Sequence, residues 1–355
     1  MSRVAIVGSG LAALVAHATL RAGGIPSDDV DVLGDTDDPA AAWRARAAAI
    51  RQTHMRSESD GHPFPRTFPG LAVREAWQTL DAWPLLLSVC DRYRPSVRVF
   101  LDAVDRVRET SGWDESVRPA RVDRIEVTPQ GFQLDGNGPY RHVLLALGHP
   151  GLAWPEELRQ DPRAVHAYEP HEYTAKVAVI GAGMAAATEW RNAAAEGAEV
   201  ISVRRREPLR RPLNLPRPLF TKRGLAQFHR VGVDERVALL RAFGAPSYPE
   251  GSEWDVPVTV MRDVPDDAEQ VVCATGFLRG FEHDRLLRRL VGEQGLDVAG
   301  QWLVLGDDAT IPRLTDATRT VAVAGVQAQW AFPAADTLAG MRWVAHHFLR
   351  RCRTR

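Results

Sequence analysis

Two stretches of this chain set small residues at the spacing a phosphate cradle needs. Gly8-Ser9-Gly10-Leu11-Ala12-Ala13 follows the apolar stretch from Arg3 to Val7, and an alanine-rich helix is predicted from there to Gly23-Gly24. Gly181-Ala182-Gly183-Met184-Ala185-Ala186 follows Lys176 to Ile180 in the same way, with a helix predicted through Ala195. In each G-x-G-x-x-A pattern the first glycine (Gly8, Gly181) permits a tight turn. The second (Gly10, Gly183) lets the backbone approach a pyrophosphate, and the alanine (Ala13, Ala186) lets helix and strand pack closely. The phosphate then rests on free N–H groups at the helix N-terminus. One such pattern is weak evidence. Two, each between a strand and a helix, predict two dinucleotide-binding units.

The end of each second strand bears on which dinucleotide is held. After the first unit the second strand is predicted at Val30 to Leu33, and an acid there would bind ribose hydroxyls. The natural position is Gly34, so Asp35 is assigned that role, with Asp37 as the alternative if the loop is shifted. In the second unit, Glu199 to Val203 runs into Arg204-Arg205-Arg206 with no acid at the strand tip. Arginines there favour the 2′-phosphate of NADPH over the 2′-hydroxyl of NADH, which makes Arg204 and Arg205 its expected ligands. The plainer reading is a solvated charge run in an arginine-rich protein.

The surrounding elements suggest how the units are joined. Val143 to Leu147 is an apolar strand leading into Gly148-His149-Pro150, and Gln270 to Ala274 is another leading into Thr275-Gly276-Phe277. Two such strands flanking the second motif read as crossovers. The expected fold is α/β, with two Rossmann-like dinucleotide-binding domains, the second inserted into the first. Residues 1–148 and 275–355 form the discontinuous outer domain, and 149–274 the inner one. Within the latter, the proline-rich stretch 208–249 reads as a lid or substrate wall, or as a stiffened surface loop. A closing strand is expected at Thr320 to Gly325, followed by a helix starting near Pro333.

Composition narrows the class. The length of 355 residues suits two domains. A net charge of −1, with 45% hydrophobic and 25% charged residues, is ordinary for a soluble globular protein. No apolar run reaches the ~18 residues of a membrane span, and the start shows no leader pattern, so the expected location is cytoplasmic. Cys90, Cys273 and Cys352 are far apart, which excludes a C-x-x-C dithiol site and a disulfide framework. Acids balance the arginines, which disfavours a nucleic-acid partner. Adjacent His346 and His347 lack metal-ligand spacing, no Ser-His-Asp triad is evident, and no metal centre is expected.

Taken in order, these motifs resemble the flavin-containing monooxygenase superfamily (class B flavoprotein monooxygenases, including N-hydroxylases and Baeyer–Villiger enzymes), of which the chain looks like a divergent member. The resemblance begins at Gly8 to Ala13. It continues at Trp43-Arg44, similar to the tryptophan of G-G-x-W with Ala41-Ala42 in place of glycines. Thr53-His54 and His62-Pro63-Phe64-Pro65 are similar to the T-N…F-P-F-P stretch. Gly181 to Ala186 and Ala274-Thr275-Gly276-Phe277, similar to A-T-G-Y/F, come next. Ala324-Gly325 and Ala335-Asp336 resemble the closing flavin contact. The fingerprint F-x-G-x-x-x-H-x-x-x-Y/F is broken: around His166 it has Gln160, Pro162 and Pro170.

The resemblance implies FAD on the first unit, with Trp43, Thr275, Gly276, Gly325 and Asp336 among its contacts, and NADPH on the second. A helix N-terminus near Pro333 would face the flavin with its positive end. His54 falls where the family carries an asparagine near the reacting flavin carbon, and a histidine also donates a hydrogen bond, so it is the candidate catalytic residue. The implied activity is oxygenation of a small molecule at nitrogen, sulfur or a ketone carbon, using NADPH and O₂. Two alternatives stand beside it: an NAD(P)H-dependent flavin reductase that does not oxygenate, and a degenerate nucleotide-binding protein that is not an enzyme.

Overall fold

The computed structural model describes residues 4–55, 70–89, 93–210, 217–248 and 254–353. The stretch from His62 to Pro65, Cys90 and the proline-rich residues 211–216 and 249–253 lie outside these ranges.

The first sheet is built from β1 (Val4–Val7), β2 (Val30–Gly34), β3 (Val117–Pro119), β7 (His142–Leu145) and β17 (Thr320–Val323). Their order is β17-β7-β1-β2-β3, and every pairing is parallel. Strands β4 (Ile125–Thr128), β5 (Gly131–Leu134) and β6 (Asn137–Tyr140) form an antiparallel meander before β7. The second sheet contains β8 (Ala164–His166), β9 (Lys176–Ile180), β10 (Glu199–Val203), β13 (Thr259–Met261) and β14 (Gln270–Cys273). It too is wholly parallel, in the order β13-β10-β9-β14-β8. Two short pairs complete the strands: β11 (Leu209–Arg210) with β12 (Ser247–Tyr248), and β15 (Val298–Ala299) with β16 (Trp302–Leu303). The chain therefore leaves the first sheet after β7, builds the second, and returns at β17.

Buried parallel strands need apolar side chains on both faces; β1, β7 and β17 are buried at every position. Helices α1 (Leu11–Ala22) and α11 (Leu338–Arg353) pack on those strands, and α7 (Met184–Ala195) packs on β9 and β10. The other helices are α2 (Ala41–Ala49), α3 (Leu71–Thr79), α4 (Trp83–Val89), α5 (Val97–Ser111), α6 (Trp113–Ser116), α8 (Lys222–Arg230), α9 (Val233–Phe243) and α10 (Arg285–Gln294). Helix α5 shows how local sequence sets one of them. The Ser96 hydroxyl accepts from Val99 N at 3.3 Å to cap its start. Val99, Phe100, Ala103, Val104 and Val107 recur at helical spacing and are buried. Gly112, at φ 70°, stops it in the left-handed conformation. Burying Phe100 contributes roughly 1.5–3 kcal/mol.

Two expectations are corrected. The last helix begins at Leu338 rather than near Pro333. Between them the chain makes tight turns, with Ala335 N on Phe332 O and Thr337 N on Ala334 O. Ala334 then lies against Gly340 so closely that an added methyl there would sit 2.0 Å from the Ala334 carbonyl oxygen. A continuous helix would separate these groups. The stretch 208–249 is likewise no simple proline-stiffened loop, because its described part contains α8 and α9. Leu219, Leu225, Phe228 and Leu240 belong to the same buried cluster as β1 and α1. His229 Nε2 donates to Ala331 O at 2.6 Å, and the Arg236 guanidinium lies 4.9 Å from the Trp330 ring centroid. By packing, these helices buttress the C-terminal part of the first unit.

Candidate functional site

The two glycine loops share one construction. Gly8 has φ 103° and Gly181 φ 131°, values that side chains rarely adopt. Each also passes against the next strand's end. A methyl on Gly8 would lie 2.3 Å from Ala146 O, and one on Gly181 2.5 Å from Ala274 O. These two glycines are demanded by the fold itself.

Gly10 and Gly183 are different. Both have extended backbone (φ −84° and −99°) open to any residue, and a methyl on either would meet nothing within 4 Å. No protein packing calls for glycine there, yet each stands at the N-terminus of a helix whose first N–H groups are free for an anion. That space fits a pyrophosphate held against backbone. Ala13 and Ala186 are fully buried, where α1 and α7 meet their strands.

At the end of β2 the structure places no acid in the sheet. Gly34 is filled over by the Ser9 side chain, and Asp35 is exposed just beyond it. Asp37 is engaged elsewhere: its carbonyl accepts from Trp113 Nε1 at 2.8 Å and its carboxylate lies 3.4 Å from Arg108. Asp35 is therefore the freer of the two for a ribose. Trp43 packs edge-on to Phe100 with centroids 4.7 Å apart, partly buried against the first core. Gly325 has φ 70° directly after β17, and a methyl there would lie 3.9 Å from Ala12 Cβ. It thus opens beside the first turn of α1. Burial pushes the Asp336 carboxyl up, opposed by Arg279 and a hydrogen bond from Gln329.

The crossovers lie side by side. Ala153 N donates to Gly276 O at 3.0 Å, Leu278 N to Gly151 O at 2.9 Å, and the Thr275 hydroxyl to Ala153 O. Thr275 is thereby engaged in joining the two segments, while Gly276, at φ 80°, leaves open space above it. Phe277 stacks with both His149 and Tyr168, with centroids 4.5 and 4.6 Å away, and the Arg46 guanidinium lies 4.6 Å from its ring. His166, fully buried, ends β8 next to Trp154 and Tyr168. Burial holds the His149 ring down at about 4, so it is uncharged at neutral pH, and burial also lowers His166.

His54 stands in an isolated bridge with Ser96, its Nδ1 3.1 Å from Thr53 Oγ1. It lines a cavity of about 540 Å³ together with Gln52, Met55, Met184, Thr188, Arg191 and Trp254. Met184, Thr188 and Arg191 lie along one face of α7, so this cavity joins the His54 segment to the helix of the second glycine loop. Sequence reading missed Gln52, Arg191 and Trp254. The Arg191 guanidinium lies 4.9 Å from the Trp254 ring, a contact between distant segments that no local pattern signals.

A second missed group braces the same helix. Glu189 on α7 is fully buried and accepts from the Tyr173 hydroxyl at 2.8 Å, with His171 Nε2 3.0 Å away. His171 Nδ1 lies 2.7 Å from the Glu169 carbonyl, which only accepts, so that nitrogen carries a proton. The second nitrogen faces the Glu189 carboxylate, and against the lowering effect of burial this carboxylate and the Glu169 carbonyl raise the His171 pKa.

At the tip of β10, Arg204 is packed down. Its guanidinium lies 5.3 Å from the Trp190 ring and pairs with Glu207, while Arg205 and Arg206 are exposed. Burial pushes the Cys273 and Cys352 thiols up to about 12, so neither is a thiolate at neutral pH. Among the described residues no group of three or more His, Cys, Asp or Glu is placed to hold a metal, and no helix is long and apolar enough to cross a membrane.

Searches against protein-family profiles and curated proteins give no match. Solved structures do resemble the chain. Ornithine hydroxylase (PvdA) from Pseudomonas aeruginosa superimposes with a TM-score of 0.70 at 16% identity, covering 99% of both chains. Ornithine N-hydroxylase KtzI from Kutzneria sp. 744, solved with reduced FAD, NADP⁺ and L-ornithine, gives 0.72 at 13% identity, again over 99% of both. A flavin-containing monooxygenase from Stenotrophomonas maltophilia gives 0.58 at 20%, over 99% of this chain and 98% of its own. Over 99% of its length, the chain has the fold of these two ornithine hydroxylases and this flavin-containing monooxygenase.

Proposed function

We propose that the chain is an FAD-dependent monooxygenase that uses NADPH and O₂ to oxygenate a small molecule at nitrogen, sulfur or a ketone carbon. The carrying observation is the open space over Gly10 and Gly183, two glycines that neither backbone conformation nor protein packing explains. Residues 1–148 and 275–355 are assigned to the FAD unit and 149–274 to the NADPH unit. The oxygenase direction is supported by the fold shared with ornithine hydroxylases over 99% of both chains.

Bound in the first cradle, FAD would accept hydride and activate O₂, so the cofactor carries the redox chemistry. The chain's own residues have the positioning work. Gly8, Gly10 and Ala13 shape the pyrophosphate cradle, Asp35 is available to the ribose, and Gly276, Gly325 and Asp336 stand toward the closing side. Gly181, Gly183 and Ala186 do the same for NADPH, with Arg205 exposed for the 2′-phosphate. His54, on the wall of the shared cavity, would donate a hydrogen bond to the reacting oxygen.

The test is the visible spectrum of purified protein, then product analysis under NADPH and O₂ with amine, sulfide and ketone substrates. A yellow protein giving an oxygenated product coupled to NADPH oxidation is expected. Hydrogen peroxide alone with every substrate would leave a flavin reductase, and a colourless protein that takes up no FAD would overturn the reading entirely.

A further inference from the structure

The second unit carries a carboxylate where the order of residues along β10 shows only arginines. Gly181 N donates to Val203 O at 3.2 Å, so Arg204 leaves the strand directly beside the second glycine turn. In a Rossmann unit this is where the adenosine ribose and its 2′ substituent lie. Arg204 does not stand free there. Its side chain is only 11% exposed, with the guanidinium over Trp190 and Nε buried without a partner among the described residues. Its Nη2 lies 3.1 Å from one Glu207 carboxylate oxygen and 3.0 Å from the other. The Glu207 side chain is 78% exposed. Arg205 and Arg206 are exposed and pair with no acid among the described residues.

We infer that Glu207 sets the dinucleotide preference of this unit by holding Arg204. A 2′-phosphate brings about two negative charges beside Glu207 and competes with it for Arg204, whose Nη2 faces both Glu207 oxygens. A 2′-hydroxyl can instead donate to the carboxylate and leave the ion pair intact. Because Glu207 is exposed, water screens the pair and keeps it displaceable. The wild-type chain therefore accepts NADH beside NADPH, with the exposed Arg205 and Arg206 favouring the phosphate. This rests on reading the second glycine loop as the nicotinamide-dinucleotide site.

Calorimetric titration of the FAD-loaded full chain with NADP⁺ and with NAD⁺ tests it without turnover. Glu207→Gln keeps the size of the side chain and removes its charge. It should shift the ratio of the two dissociation constants toward NADP⁺ by about tenfold, and Glu207→Lys should shift it further. A ratio unchanged in both variants, with both ligands still bound, overturns the role of Glu207 and leaves the dinucleotide site standing. Failure of the wild-type chain to bind either ligand overturns the site assignment, and the inference with it.

Discussion

A methyl group added at Gly34 would lie 2.3 Å from the Oγ of Ser9. The middle residue of the first glycine loop thus fills the place at the end of β2 where a ribose-binding acid is expected. Ser9 is 6% exposed, and its hydroxyl accepts from Thr36 N at 3.3 Å, fastening the strand end to the loop. The absent acid and the small residue at Gly34 are one adaptation.

This coupling is testable. Gly34→Ala should push Ser9 and the loop away and lower the FAD content of purified protein several-fold, read from absorbance per chain. Ser9→Gly combined with Gly34→Ala should recover only part of it, since the side-chain clash goes but the Ser9 backbone nitrogen still lies 2.7 Å from the added methyl. Additive losses would show that they do not share the space.

Gly10→Ala and Gly183→Ala should leave the thermal midpoint of the FAD-free protein nearly unchanged, because a methyl at either position meets nothing within 4 Å. Gly10→Ala should sharply lower FAD retention, whereas Gly183→Ala should keep FAD and weaken NADP⁺ binding. A large fall in the midpoint of either variant would mean the glycine serves packing.

His54→Ala should lower the rate of product formation by about 10²-fold, the scale for removing one aimed hydrogen-bond donor. NADP⁺ affinity should change little, and peroxide released per NADPH should rise. The His54 ring lines the cavity and its bridge to Ser96 is made by backbone, which alanine keeps, so the fold should survive. Equal loss of nucleotide binding and oxygenation would make it a cofactor-binding residue instead.

Stability should respond to pH through His171. Burial disfavours its charge, but hydrogen bonds to Glu189 and to the Glu169 carbonyl outweigh that and raise its pKa above the ordinary 6.5. The stabilisation is then complete below pH 6.5 and is lost as pH rises through the folded value. His17, His142 and His347 act oppositely. Burial holds each at about 4, so their contribution falls as pH drops from 6.5 toward 4. Thermal midpoints should peak near neutral pH, and His171→Gln should flatten the alkaline limb alone. An unchanged alkaline limb would remove the His171–Glu189 pair from the account.

Much of the architecture was legible from residue order, because the constraints behind it are local. Lys176–Ile180, Met184–Ala195 and Glu199–Val203 occur with the bounds their sequence suggests. A tight turn, an apolar strand and a run of good helix formers need only near neighbours. The broken fingerprint around His166 shows the limit. Its aromatic position is Pro170, yet Tyr168 stacks on Phe277 from the other crossover, a contact fixed by where two distant segments meet. The tertiary structure likewise decided the docking of α8 and α9 on Trp330, the start of α11 at Leu338, and the meeting of His54 with Arg191 and Trp254. Sequence order determined that two glycine turns stand between a strand and a helix. Which side chains converge on them depends on long-range packing and charge pairing, and so was decided only by the folded chain.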